Sequence, residues 1–391
     1  MLSVHIWCSE YPGDPGVAGS CKELIGLIAT QSHRISSCML SSPFHDFWRH
    51  WSYPAPNLRQ LTVQGHRVEI LPIFNGQLPQ LVCLTSLHHA PWSLWDYTAL
   101  RQVDLRNHGR YVTLVSLLDT LRGCGALEIL TLHGYARLGH ETPHPATVSL
   151  PHLYKVHLFS SDSALILEHL ETPSLAGPVI IFDSNPDHDI LHSIPRTQRS
   201  SPYLQGIAKL QVVLNSYSSQ YYISGYREDG TIALYIGVCG VGHWSRWTWA
   251  RASIEAIASS IHFFKIRNLV LTTDTVAIPW DLWLPNLDNL RDLTVSCPRS
   301  EGLLVSLLGS PSEDGLPPCS SLQSLALYRC GRCAVVDHTS LMGFVMSRYR
   351  AGRPLRKLKL HKDEWDWIQE LDNSWVALAQ SQCAYFGQRN V

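Results

Sequence analysis

Residues 58–63 read LRQLTV, and the phrase returns as LRQVDL at 100–105, IRNLVL at 266–271, LRDLTV at 290–295 and LRKLKL at 355–360. Looser copies are LEILTL at 127–132, LYKVHL at 153–158 and LQSLAL at 322–327. Aliphatic residues at positions one, four and six recur by chance in a chain rich in Leu, Ile and Val. The arginine at position two does not. Arg59, Arg101, Arg267, Arg291 and Arg356 occupy it, so the phrase is an internal repeat rather than a coincidence of composition.

Positions four and six lie two residues apart, so in a strand they face the same side. That side is the expected core: Leu61, Val63, Val103, Leu105, Leu130, Leu132, Val156, Leu158, Leu269, Leu271, Leu293, Val295, Leu325, Leu327, Leu358 and Leu360. Positions three and five look the other way. The spacing is that of L-x-x-L-x-L, the strand segment of a leucine-rich repeat. Pro56, Gly125, Pro151 and Pro354 precede several copies and suit a loop entering a short strand. Between the phrases lie stretches with one apolar stripe at helical spacing. Leu114, Leu117, Leu118 and Leu121 form one, Ile254, Ile257, Ala258 and Ile261 a second, and Leu341, Phe344 and Val345 a shorter third. Strand, loop and helix in repetition predict an α/β chain folded as a leucine-rich-repeat-like solenoid, with a curved parallel sheet on the concave side and helices and loops on the convex side. A doubly wound α/β domain also alternates strand and helix. Its usual Gly-rich first turn is missing here, and it offers no reason for near-identical phrases.

The predicted organisation is an irregular solenoid over 1–365 and a C-terminal cap or tail over 366–391, with no linker between them. Residues 1–55 hold the first repeat and the N-terminal portion. Residues 200–249 break the period: YYISGYREDGTIALYIGV predicts a hairpin turning at Glu228-Asp229-Gly230. The tail carries Trp365, Trp367, Ile368 and Leu371, which suit the shielding of a terminal repeat.

Composition narrows the function. The chain has 391 residues, 45% of them hydrophobic, enough for a core. Only 16% are charged, against about 25% in ordinary domains, and the formal net charge is -1. That balance argues against a nucleic-acid partner. Apolar runs fall well short of a membrane span, so no membrane partner is expected. The start, MLSVHIWCSEYPGDPG, lacks a positive n-region and is not expected to be a signal peptide. The 11 cysteines are an odd number without paired spacing, and no N-x-[ST] sequon occurs. A reducing, cytoplasmic or nuclear setting with free thiols follows as the expectation.

Linear catalytic motifs are missing. There is no phosphate loop, no G-x-G-x-x-G, no H-E-x-x-H, no G-x-S-x-G and no kinase signature. Gly237, Gly240 and Gly242 have the wrong spacing for a dinucleotide. Cys330 and Cys333 form a lone C-x-x-C, which Cys319 and His338 could complete as a zinc site. The irregular spacing favours a strand end and a turn instead. Among the 20 histidines, His88, His89, His133 and His157 stand out, the last two on the outward side of strands. Trp244, Trp247 and Trp249 would stack a sugar or peptide if exposed, but packing of a loop is the plainer reading. The basic run Arg348, Arg350, Arg353, Arg356, Lys357, Lys359 and Lys362 reads as a solvated last repeat rather than a phosphate patch. No cofactor, metal ligand set or catalytic residue is expected.

The stretches SHRISSCML at 32–40, APNLRQLTV at 55–63, LLDTLRGCGALEILTL at 117–132 and LMGFVMSRYRAGRPLRKLKL at 341–360 carry a family likeness. The sequence resembles the F-box/leucine-rich-repeat-like proteins of mushroom-forming (agaricomycete) fungi. The resemblance implies a ubiquitin ligase substrate receptor. In it an N-terminal F-box grips the adaptor of a cullin–RING ligase and the repeats hold a protein target. Here the chain opens in strand-like MLSVHIW with no helical F-box segment before it. The chain as it stands is therefore expected not to bind that adaptor alone; an F-box upstream of Met1 would add the adaptor as a partner. The expected function is a non-catalytic protein-binding scaffold. An enzyme with a non-linear active site and a decayed paralogue without a partner are the alternatives.

The strand register names the expected protein-binding residues: Gln60, Thr62, Gln102, Asp104, Arg106, Thr131, His133, Lys155, His157, Asp292, Thr294, Tyr328, Lys357, Lys359 and His361. Phe159, Asn268, Thr272 and Ser324 extend the same face. It reads as polar, with little net charge and few aromatic anchors. Lys357, Lys359 and His361, with Ser324 and Tyr328 beside them, would suit an acidic or phosphorylated peptide.

Overall fold

The structure is a computed structural model. It describes residues 2–7, 15–42, 51–64, 73–86, 98–106, 113–134, 147–159, 162–173, 175, 178–183, 206–215, 220–238, 265–273, 278, 280–297, 301–309, 318–329 and 338–360. The chain is of mixed α/β class, with mostly parallel sheet and few helices among these residues. It divides into two compact units, Met1–Ser184 and Asn185–Val391.

The first unit contains β1 (Leu2–Trp7), β2 (Ile35–Ser41), β3 (Gln60–Gln64), β4 (Cys83–Ser86), β5 (Gln102–Arg106), β6 (Ile129–His133), β7 (Val148–Ser149), β8 (Lys155–Phe159), β9 (Leu170–Glu171) and β10 (Val179–Asp183). Its sheet runs β1-β2-β3-β4-β5-β6-β8-β10, every pairing is parallel, and strand order follows chain order. The short strands β7 and β9 pair separately.

Register holds across the sheet. Leu61 sits beside Leu84, Leu84 beside Val103, Val103 beside Leu130, and Leu130 beside Val156. All five are buried, so positions four and six stack strand upon strand into one core. The helix Leu114–Arg122 contributes Leu114, Leu117, Leu118 and Leu121, all buried, as the apolar stripe requires. Thr113 starts it, its side-chain oxygen accepting from the Ser116 N–H at 3.1 Å.

The second unit contains β11 (Lys209–Asn215), β12 (Gln220–Tyr226), β13 (Ile232–Val238), β14 (Asn268–Thr273), β15 (Asp292–Cys297), β16 (Ser324–Arg329) and β17 (Lys357–Leu360), in the order β13-β12-β11-β14-β15-β16-β17. The pairings β11–β14, β14–β15, β15–β16 and β16–β17 are parallel, whereas β11–β12 and β12–β13 are antiparallel and make the hairpin. The turn falls at the expected place. Asp229 accepts from the Thr231 N–H and hydroxyl at 2.9 and 2.7 Å, and Gly230 supplies the positive φ of 82°. The hairpin joins the parallel strands instead of forming a body of its own.

Position two of the phrase marks strand entry. The Arg59 carbonyl accepts from the N–H groups of both Val82 and Cys83, that of Arg101 from Glu128 and Ile129, that of Arg267 from Arg291 and Asp292, and that of Arg291 from Gln323 and Ser324. The backbone there is satisfied, and the arginine side chains project into solvent.

Two expectations need correction. Leu358 and Leu360 are half-buried, not buried like their counterparts. They belong to β17, which among the described residues stacks on one neighbouring strand instead of two. Arg348, placed in a solvated basic run, is buried with 1% of its surface exposed. It lies on the core side of the helix His338–Arg350, one turn beyond buried Phe344 and two beyond buried Leu341.

Candidate binding faces

Alternation along each strand leaves positions three and five on the face opposite the core. In the first unit Gln60 and Gln102 are exposed, while Thr62, Asp104, Arg106, Thr131, His133, Lys155 and His157 are half-buried on that face. Register places Thr62 beside Thr85, Thr85 beside Asp104, Asp104 beside Thr131, and Thr131 beside His157. One residue pair further along, Arg106 neighbours His133 and His133 neighbours Phe159.

These placements gather a charged cluster. Arg106 donates through Nε and Nη2 to the two Asp104 carboxylate oxygens at 3.4 and 3.2 Å. His133 Nε2 stands 3.7 Å from Asp104 Oδ1, and its ring stacks on Phe159 with centroids 4.0 Å apart and planes 6° apart. The Nε2 of His157 is buried and has no hydrogen-bond partner among the described residues. Burial holds the His157 imidazole below its ordinary pKa. Lys155 and His133 push the same way, and Asp104 opposes them. The neutral ring is thus the preferred form.

In the second unit Thr294 is half-buried, and Asp292, Tyr328, Lys357 and Lys359 are exposed. Lys357 lies beside Ser324 and Lys359 beside Ala326, so the two lysines share the face of Tyr328 as expected. His361 lies outside the described residues, as do Cys330, Cys333, the three clustered tryptophans, the Ile254 stripe and the C-terminal tail. Cys319 is buried and donates its thiol to the Leu284 carbonyl at 3.5 Å; burial raises its pKa to about 12. Cys38 and Cys124 are likewise raised to about 12 by burial, as inert core thiols are.

The expectation of few aromatic anchors also needs correction. Strand register carries the hairpin's tyrosines onto the same face as Asn268 and Thr272. Gln211 Nε2 donates to the Tyr222 hydroxyl at 3.2 Å, and the Tyr226 hydroxyl donates to Gln211 Oε1 at 3.4 Å. Tyr222 stacks on Tyr235 at 5.7 Å, and Lys209 Nζ sits 5.2 Å from the centre of the Tyr226 ring. The hairpin lacks the repeated phrase, so no register could be assigned to these tyrosines from the phrase alone. The signal was their i, i+4 spacing within a strand, which puts Tyr222 and Tyr226 on one side.

No family model matches the chain, and no curated protein matches it. The first face offers a carboxylate clamped by a guanidinium, two imidazoles and an ammonium. The second offers stacked phenols bridged by an amide.

Proposed function

We propose that the chain is a non-catalytic protein-binding scaffold, and that its two sheet faces hold a polypeptide. The observation that carries this reading is the tyrosine group on the second unit's face. Tyr222, Tyr226 and Tyr235 are held by one another and by Gln211, so contact with a partner costs little side-chain entropy. The half-exposed polar side chains in register across β3 to β8 offer hydrogen bonds on the first unit's own face.

The finer fold reading is a leucine-rich-repeat-like solenoid with the parallel sheet on its concave side. The strand order of Met1–Ser184 supports it, because a doubly wound sheet reverses order at its switch point and this one does not. Where an F-box precedes the chain in the full gene product, these faces would present a target to a cullin–RING ubiquitin ligase.

Site-specific photocrosslinking tests the scaffold reading. A photoreactive phenylalanine is placed at Tyr226, at Thr62 or, as a control, at Val305 on the exposed side of the helix Glu301–Leu308. Discrete polypeptide adducts are expected from the two sheet positions and none from Val305. Equal labelling at all three positions would remove the sheet faces as the binding surface.

A further inference from the structure

Arg348 is the one cation among the described residues that is both buried and without a carboxylate at salt-bridge distance. Its guanidinium is held by carbonyls alone. Nε donates to Arg353 O at 3.1 Å, Nη1 to Cys319 O at 3.1 Å, and Nη2 to Ser320 O at 3.1 Å and Leu322 O at 2.7 Å. Its guanidinium carbon lies 5.8 Å from the centre of the Phe344 ring. These dipoles and the ring satisfy most of its donors but carry no net charge, and burying a cation without a counter-charge is costly. Burial pulls the Arg348 pKa down, Cys319 raises it, and Arg353 adds repulsion.

The surroundings add positive charge instead of cancelling it. Arg348 lines a groove of about 630 Å³, together with Arg291 at the entry of β15, Ser320 and Ser321 before β16, and Arg353 and Arg356 before β17. Among the described residues, four guanidiniums line it and no acidic residue does. Among the described residues, Arg291, Arg353 and Arg356 have no carboxylate at salt-bridge distance. A neighbouring cavity of about 660 Å³ makes the contrast. It shares Arg291 and adds Arg227, Lys265 and Arg267, but it also carries Glu228 and Asp229, and Glu228 pairs with Arg267 at 2.6 Å. That cavity supplies its own anions.

We infer that the groove over Arg348 is a binding site for a phosphate-class oxyanion, either inorganic phosphate or the phosphate monoester of a small molecule. Arg291, Arg353 and Arg356 contact the anion through planar donor pairs that match its oxygens, and the Ser320 and Ser321 hydroxyls supply neutral donors. Arg348 acts through its field rather than by contact, since four of its five N–H donors are committed to carbonyls. The site lies at the strand-entry end of β15 to β17, away from the Lys357 and Lys359 side chains on the sheet face. It is independent of the scaffold reading.

The test uses the full chain and its variants Arg291→Gln and Arg356→Gln. Both residues are exposed, and their backbone bonds are kept in either variant. Arg101→Gln, an exposed position-two arginine of the first unit, is the control. Inorganic phosphate and glycerol phosphate are titrated at constant ionic strength, with calorimetric heat and melting temperature as readouts. Saturable binding by the wild type and the control is expected, weakened by about tenfold or more in each groove variant. Tighter binding of the monoester than of inorganic phosphate would identify a small phosphorylated molecule as the source, and the reverse would identify free phosphate. An absence of saturable binding, or equal binding by all four proteins, would overturn the inference. So would binding of a short oligonucleotide with no response to either small anion.

Discussion

The sheet faces of the two units are built from the same repeated phrase, yet they differ in kind. In Met1–Ser184 every main-sheet pairing is parallel, and the face carries Asp104, Arg106, His133 and His157 as a charged cluster. In Asn185–Val391 a hairpin joins the parallel strands, and the face gains Tyr222, Tyr226 and Tyr235. The repeat fixes the core positions and leaves positions three and five free to vary, so the faces can diverge while the core stays the same. The larger departure comes from the segment that abandons the phrase. A strand pair without a fixed pattern can place three large aromatics in one patch, whereas the phrase offers only two outward positions per strand.

The sharpest way to break the comparison is through the common core. Leu130 is fully buried between Val103 and Val156, and Leu130→Ala is expected to cost about 2–5 kcal/mol. Leu358→Ala, the same phrase position on half-buried β17, is expected to cost only about 1 kcal/mol. Urea unfolding followed by circular dichroism reads both. Equal losses would mean that the two positions are equally packed and that the contrast between central and terminal strand is mistaken.

Arg348→Leu removes the guanidinium while retaining an apolar side chain. It takes one donor from each of four carbonyls, of which Cys319 O keeps the Leu322 N–H, and roughly 2–4 kcal/mol of stability should go with them. The unfolding midpoint of the variant measures this. A neutral or stabilised variant would show that the carbonyls find water at no cost.

On the second face, Tyr222→Ala should weaken binding of a crosslinked partner by about 2 kcal/mol, roughly thirtyfold in Kd. Asp104→Asn on the first face should weaken it by less, because a half-exposed ion pair contributes little. Competition binding with the isolated partner ranks the two. A larger loss from Asp104→Asn would make the charged cluster the anchor.

The smallest effect concerns pH. The folded-state pKa of His157 is lowered from its usual 6.5 by burial first and by Lys155 and His133 next. The unfolded chain therefore binds the proton more readily. This contribution to stability is present above about pH 6.5 and declines as pH falls below it. Between pH 7.5 and 5.5 the urea midpoint should fall less for His157→Asn than for the wild type. The same fall in both proteins would remove His157 as the titrating group.

From residues alone the phrase established which side chains form the core. An apolar residue every second position can be buried only on one side of a strand, and Leu61 through Leu327 follow that rule. The Leu114 helix stripe and the Glu228-Asp229-Gly230 turn were likewise set by local chemistry, since periodicity and φ preference act within a few residues. The α/β class and the outward placement of His133, His157, Lys357 and Lys359 follow from the same local rules. Tertiary structure decided what depends on distant neighbours. Arg348 is separated in sequence from the Cys319, Ser320 and Leu322 carbonyls that hold it, so a basic run read locally as solvated is buried at one member. Leu358 fits the phrase but lies on a strand with one neighbour among the described residues, and burial needs two. The tyrosine patch exists because β11, β12 and β13 align Gln211 with Tyr222 and Tyr226, and register between strands is a property of pairing that no single strand encodes.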